Sequence, residues 1–243
     1  MFRIVVVGLL LAVPLVAADD GRPDEVVRAA ITAAGGADIL AKYPAGRTTA
    51  KGVIITAGVE APVTIDHTFQ VPGRSRSVFR TELKGQKQEI VQVVNGEKMR
   101  TTLNGATIPT TDAAAKEVHM GALVLEVGQL TPLLTDRKFT LKHDASVRGG
   151  ELVGVIVHTK GLPDLRLAFD RKSGHLVRIV RRGLVAGREP ESEQVLGGHK
   201  SFDGLIRPTT TILFREGVKV LELTAESFTP LEKVDAAEFS VTE

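Results

Sequence analysis

The hydrophobic pattern changes period twice along the chain. Residues 22–43 carry Val27, Ala30, Ile31 and Ala34 at helical spacing, with Pro23 suited to a first helical turn, until Gly35-Gly36 ends the run. One helix and a further turn through Ile39 and Leu40 are expected there. From 48 to 108 the period falls to two, broken at Pro72-Gly73, Gly85, Asn95-Gly96 and Asn104-Gly105. Strands are predicted near 50–58, 63–71, 76–83, 88–94 and 98–103. Asn-Gly between apolar alternations marks a two-residue hairpin turn with left-handed backbone at both positions, and Asn95-Gly96 is read that way.

The stretch 112–136, DAAAKEVHMGALVLEVGQLTPLLTD, is the longest helix-like run and the element around which the remainder is organised. Between 118 and 135 its only formal charge is Glu126. Leu123, Val124, Leu125, Val127, Leu130, Leu133 and Leu134 leave no wide polar face, so the helix must be buried. Unbroken, it would be about 35 Å long at 1.5 Å per residue. The alternative is a break at Thr131, with Thr131 as N-cap and Pro132 opening a short second helix. Asp112 is the expected N-cap of the long one. A membrane span is disfavoured by Glu126, Gln129, Gly121, Gly128 and Pro132.

Period two then resumes, predicting strands at 138–148, 151–159, 165–170, 175–182, 193–202, 206–215 and 218–228. Gly149-Gly150, Ser173-Gly174, Asp203-Gly204 and Gly217 supply turns. Such short connections join antiparallel neighbours, because a parallel partner needs a long crossover. A dozen twisted strands curl, and curled about a buried helix they form an incomplete barrel. The expected fold is mainly β (α+β): a single long antiparallel meander curled into an incomplete barrel, with an N-terminal helix and a buried central helix on the concave side.

Composition narrows the compartment and the chemistry. Arg3, the apolar run 4–16 and Val16-Ala17-Ala18 before two aspartates read as a secretory signal over 1–18, cut after Ala18. Residues 19–243 are then one curled-sheet domain, exported and periplasmic, since no composition shift divides them. The chain has no cysteine, so neither a disulfide nor an acylated cysteine is available. Its 31 basic and 29 acidic residues are interspersed, and losing Arg3 leaves 30 against 29. That balance gives no field for nucleic acid. Nine Phe, one Tyr and no Trp give few stacking platforms.

Catalytic patterns are missing. No thiol nucleophile exists, and His67, His119, His143, His158, His175 and His199 form no short ligand pair. No G-x-S-x-G, P-loop or G-x-G-x-x-G occurs, and no cofactor or metal is implied. Ser173-Gly174-His175 reads as turn chemistry. Arginines cluster at Arg74, Arg76 and Arg80, and at Arg178, Arg181, Arg182 and Arg188. They are read as the solvated, edge-protecting face of strands before any rim for lipid phosphates or an acidic partner.

PDLRLAFDRKSGHLVRIVRR, followed by EQVLGGHKSFDGLIRPTTTILFREGVKVLELTAESFTPLEKVDAAEFSV, runs as a strand ending in Asp, a Lys-Ser-Gly turn, Phe-Asp-Gly, Ile-Arg-Pro, Arg-Glu-Gly and a closing Asp-x-x-x-Phe. This resembles the periplasmic lipoprotein carrier and outer-membrane lipoprotein-sorting superfamily, in motif over 163–241 and in element order over the whole chain. The resemblance implies a curled half-barrel plugged by helices, which shelters acyl chains without bond-making chemistry. It assigns the family's functional arginine to no single position here.

The reading is therefore an exported, non-catalytic carrier for a lipid, a lipoprotein acyl group or another apolar ligand. Val53, Ile55, Phe69, Phe79, Val91, Val93, Leu123, Val127, Leu130 and Phe214 are expected to line its pocket, although apolar residues serve more often as plain core. The alternative is an interaction or sensor module that docks a membrane-anchored protein partner. An enzyme with an unrecognised site is the least supported reading.

Overall fold

The computed structural model describes residues 22–56, 58–147, 150–182 and 190–241. Residues 1–18, read as a secretory signal, Arg188 and part of the Gly149-Gly150 turn lie outside them. Six strands come first: β1 (Ala45–Thr56), β2 (Val59–Gln70), β3 (Arg74–Leu83), β4 (Gln86–Asn95), β5 (Lys98–Leu103) and β6 (Ala106–Ile108). Nine follow the helical segment: β7 (Phe139–His143), β8 (Leu152–Thr159), β9 (Leu165–Asp170), β10 (Leu176–Arg182), β11 (Glu191–Gly197), β12 (Lys200–Phe202), β13 (Leu205–Arg207), β14 (Thr210–Arg215) and β15 (Val218–Leu231).

Thirteen of these strands make one antiparallel sheet in the order β6-β5-β4-β3-β2-β1-β15-β14-β11-β10-β9-β8-β7, and the sheet does not close into a barrel. The expected single meander is two meanders joined where the first strand meets the last, from Ala45 opposite Leu231 to Ile54 opposite Leu221. The chain must therefore travel from one outer edge, β6, to the other, β7. The central helical segment makes that journey.

That segment is two helices, α3 (Asp112–Val127) and α4 (Pro132–Thr135), preceded in the chain by α1 (Pro23–Ala33) and α2 (Ala37–Lys42). The break reading holds, because Leu130 adopts left-handed backbone at φ 62° and Pro132 opens α4. The N-cap of α3 is Thr111, one residue before Asp112: its hydroxyl accepts from Ala114 N at 3.2 Å. Glu126, which is buried, is satisfied by the Lys138 ammonium just before β7.

Local chemistry corrects several boundaries. The strand expected at 138–148 stops at His143, because the buried Asp144 carboxylate turns the chain by accepting from Ser146 N and Arg166 Nε at 3.0 and 2.9 Å. The segments 193–202 and 206–215 each divide, since β11 pairs directly with β14 and the β12–β13 hairpin leaves the sheet between them. Asn104-Gly105 is a two-residue turn with φ 49° and 83°, whereas Asn95-Gly96 is shifted by one residue. Asn95 stays in the strand opposite Lys98, and only Gly96 is left-handed, at φ 63°.

The main core lies under one half of the sheet. Val27, Ala30 and Ile31 of α1, Leu40 of α2 and Val127 of α3 meet Val155, Val157, Leu165 and Leu167 of β8 and β9. The β12–β13 hairpin is pressed onto the end of α1, where Ile206 N donates to Ala34 O at 3.0 Å. A Cβ on Gly35, whose φ is 113°, would stand 2.2 Å from the Gly204 carbonyl oxygen, so only glycine fits. A smaller cluster of Ala45, Val93, Val234 and Phe239, with Val91 and Leu231 against it, packs on the face away from α3.

Candidate functional site

Two faces of α3 look at different surroundings. Met120, Leu123 and Val127, at i, i+3 and i+7, are buried in the core over β7 to β10. Glu117, Gly121, Leu125 and Gly128 line instead a cavity of about 610 Å³ between the helix and the other half of the sheet. A space of this size is in the range that holds a small apolar molecule. Small residues keep it open: a Cβ added at Gly121 would meet nothing within 4 Å.

The sheet wall follows from period two. Ile65, His67 and Phe69 present alternate positions of β2 to the cavity, and Leu221, Leu223 and Ala225 do so on β15. Opposite Thr49 and Ala50 the β15 register shifts, which brings Phe228 back to the cavity side. Phe228 packs against Phe69 at 6.5 Å and edge-on to Phe202 at 5.2 Å. Leu213, Leu221 and Leu223 are only half-buried although they are central in the sheet, because no helix side chain fills the space above them.

Of the ten residues expected to line a pocket, Phe69, Phe79 and Leu130 do so. Leu123 and Val127 are on the core face of α3. Val91 and Val93 flank the lining residue Gln92 on β4 and therefore point to the opposite face, toward Phe239. Val53 and Ile55 alternate away from Thr48 and Ala50 on β1, and Phe214 away from Thr211 and Leu213 on β14; none of the three lines the cavity. Missed from the sequence were Gly121, His175, His199 and Arg207, all in the wall. Nothing local in Ile-Arg-Pro marks Arg207 as turned inward, since an arginine between apolar strand residues ordinarily faces water.

The polar part of the wall has specific partners. His67 Nδ1 lies 2.8 Å from Ser77 Oγ, its Nε2 has no partner among the described residues, and burial alone pushes its pKa down to about 4, so the ring is neutral at pH 7. His175 and His199 stack with centroids 4.4 Å apart and planes 11° apart. His199 Nε2–H donates to Leu176 O at 3.2 Å, and burial first, then the neighbouring His175, lower its pKa. Arg207 donates from Nη1 to Gly128 O at 2.8 Å and from Nη2 to Gln129 Oε1 at 2.6 Å, which ties β13 to the end of α3. Burial pulls its pKa down to about 10, which leaves it charged at neutral pH. Glu117 accepts a bidentate pair from Arg181, so α3 is also fastened to β10.

The other arginines divide by location. Arg80 meets Asp66 and Glu89 at 2.5 and 2.8 Å, and Arg178 meets Glu193 at 3.1 Å, all on solvated strand faces. Arg181, read from the sequence as solvated, is in fact turned inward by Glu117. Asp170 accepts from Ser173 N and Oγ, both at 2.7 Å, so Ser173-Gly174-His175 is a turn as expected. Among the described residues no group of three or more His, Asp or Glu could hold a metal, and no helix is long and apolar enough to cross a membrane.

No family model matches the chain, and no curated protein does. Solved structures match its fold over nearly its whole length. An outer membrane lipoprotein-sorting protein domain from Vibrio parahaemolyticus superposes with a TM-score of 0.53 at 9% identity, covering 89% of this chain and 95% of that one. A LolA superfamily protein from Nitrosomonas europaea gives 0.55 at 10%, covering 90% and 98%. A DUF1329 family protein from Desulfovibrio piger gives 0.58 at 9%, covering 90% and 97%. What is shared with these structures is the fold, an open antiparallel sheet with helices on one face.

Proposed function

We propose that the protein is an exported, non-catalytic carrier of the bacterial cell envelope that takes a lipid or lipoprotein acyl chain into the cavity beneath α3. The observation that carries this reading is the half-filled sheet: Leu213, Leu221, Leu223 and Phe228 face about 610 Å³ of space where a self-sufficient core would place side chains. Apolar surface left uncovered in the middle of a sheet favours an apolar occupant at roughly 25 cal/mol per Å² removed from water. The fold is shared with proteins described as lipoprotein-sorting, which supports the same class of ligand. On this reading residues 19–243 form one unit, released into the periplasm by cleavage after Ala18, and no bond is made or broken in the cavity.

Native mass spectrometry of the protein purified from its own envelope tests it. The carrier reading expects a chain beginning at Asp19 with a lipid-sized mass retained under gentle conditions and lost on organic extraction. A bare chain that copurifies with one protein would contradict it.

A further inference from the structure

We propose that the ligand is an anionic amphiphile, an acyl chain ending in an oxyanion, and that Arg207 is the counter-charge for that headgroup. This rests on the carrier reading and adds the chemistry of the ligand's polar end.

The argument starts from the charge balance of the wall. Among the described residues the cavity has one guanidinium, Arg207, and one carboxylate, Glu117. Glu117 is engaged by Arg181 through both oxygens, on the β10 side. Arg207 bonds only neutral acceptors, the Gly128 carbonyl and the Gln129 amide oxygen. Burial is the one influence on its acidity, and no carboxylate among the described residues offsets it. A guanidinium has five N–H donors, and among the described residues two are used here, Nε in particular having no partner.

A half-buried cation without a counter-ion is costly, and folded chains ordinarily supply a carboxylate. Here no carboxylate of the wall is left for the guanidinium, because Glu117 is held by Arg181. The apolar wall of Leu213, Leu221, Leu223 and Phe228 belongs to the same cavity, which gives a cationic end and a hydrocarbon end in one enclosure. A free inorganic anion would leave the hydrocarbon end uncovered, and a neutral lipid would leave the cation unmatched. An acyl carboxylate or an acyl phosphate covers both.

Isothermal titration at physiological salt separates the possibilities, with laurate, dodecyl phosphate, methyl laurate, acetate and inorganic phosphate as probes. Laurate or dodecyl phosphate should bind at least about tenfold tighter than methyl laurate, and the stronger of the two identifies the headgroup. Arg207→Gln should lower that affinity by about tenfold or more and affect methyl laurate much less, while Arg207→Lys should keep part of the preference. Should Arg207→Gln fail to fold, the ratio of laurate and dodecyl phosphate to methyl laurate in the unmutated protein still decides the matter. Equal affinity for laurate, dodecyl phosphate and methyl laurate would overturn this proposal and leave the carrier reading standing. Binding of neither long chain would end both. Inorganic phosphate bound as tightly as dodecyl phosphate would show a free-anion site, and a preference surviving in Arg207→Gln would remove Arg207 from the role.

Discussion

The two halves of the sheet are built from similar residues and end in opposite states. On β8 and β9, Val155 and Leu167 are completely buried beneath α1 and α3. On β14 and β15, Leu213 and Leu223 are equally central and equally aliphatic, yet they stay half-buried. The difference is in the helix above. Over β7 to β10, α3 presents Met120, Leu123 and Val127; over the other half it presents Gly121, Ala122 and Gly128 alongside Leu125. A helix that is apolar all round is needed on both sides, but side-chain size decides which side is packed solid and which is hollow.

The largest effects should separate the two halves by stability. Leu167→Ala removes a side chain from close packing and should cost about 2 to 5 kcal/mol in denaturant melting. Leu223→Ala enlarges a space already present and should cost well under half of that. Equal losses would mean the hollow half is packed like the other.

Acid sharpens the same contrast through His67, which lies in the hollow wall. Its pKa is about 4 in the native protein against an ordinary 6.5, so the native ring stays neutral while the unfolded chain takes up a proton. The associated stability is complete above pH 6.5 and is lost as pH falls through 4, reaching about 3 kcal/mol at most. Melting of the native protein and of His67→Gln between pH 7.5 and 4 should therefore converge on acidification. A constant difference would place the sensitivity elsewhere.

A smaller effect concerns the turns that set the strand register. Gly96 is left-handed and Asn95 is not, so Gly96→Val should destabilise by about 1 to 3 kcal/mol, whereas Asn95→Thr, in a strand position, should change stability by about 0.5 kcal/mol or less. Comparable losses at the two positions would restore the symmetric turn that the Asn-Gly pair had implied.

Much of the architecture was legible because period and punctuation are local. The all-round apolar stretch around Leu123 to Val127 announced a buried helix, and Thr131 with Pro132 offered its break. Long-range facts were not legible: nothing local in Ala45 or Leu231 says that they meet, and this pairing converts one meander into two. The pocket wall was read partly on the wrong side for a related reason. Strands such as β1 and β4 are apolar on both faces, so Val53, Ile55, Val91 and Val93 gave no sign of which face the helix would cover. Leu123 and Val127 were indistinguishable from Leu125 until the core fixed the rotation of α3. Arg207 was hidden because its partners, Gly128 and Gln129, lie far from it in the chain.

The central claim, that the space beneath α3 is kept open for an acyl ligand, is tested most directly at Gly121. An added side chain there meets open space, and leucine is a better helix former than glycine by roughly 0.8 kcal/mol. Titration of a fluorescent fatty-acid probe into Gly121→Leu, with melting measured on the same sample, should show uptake lost while the protein is as stable as before or slightly more so. Undiminished uptake by a stably folded Gly121→Leu protein would contradict the account.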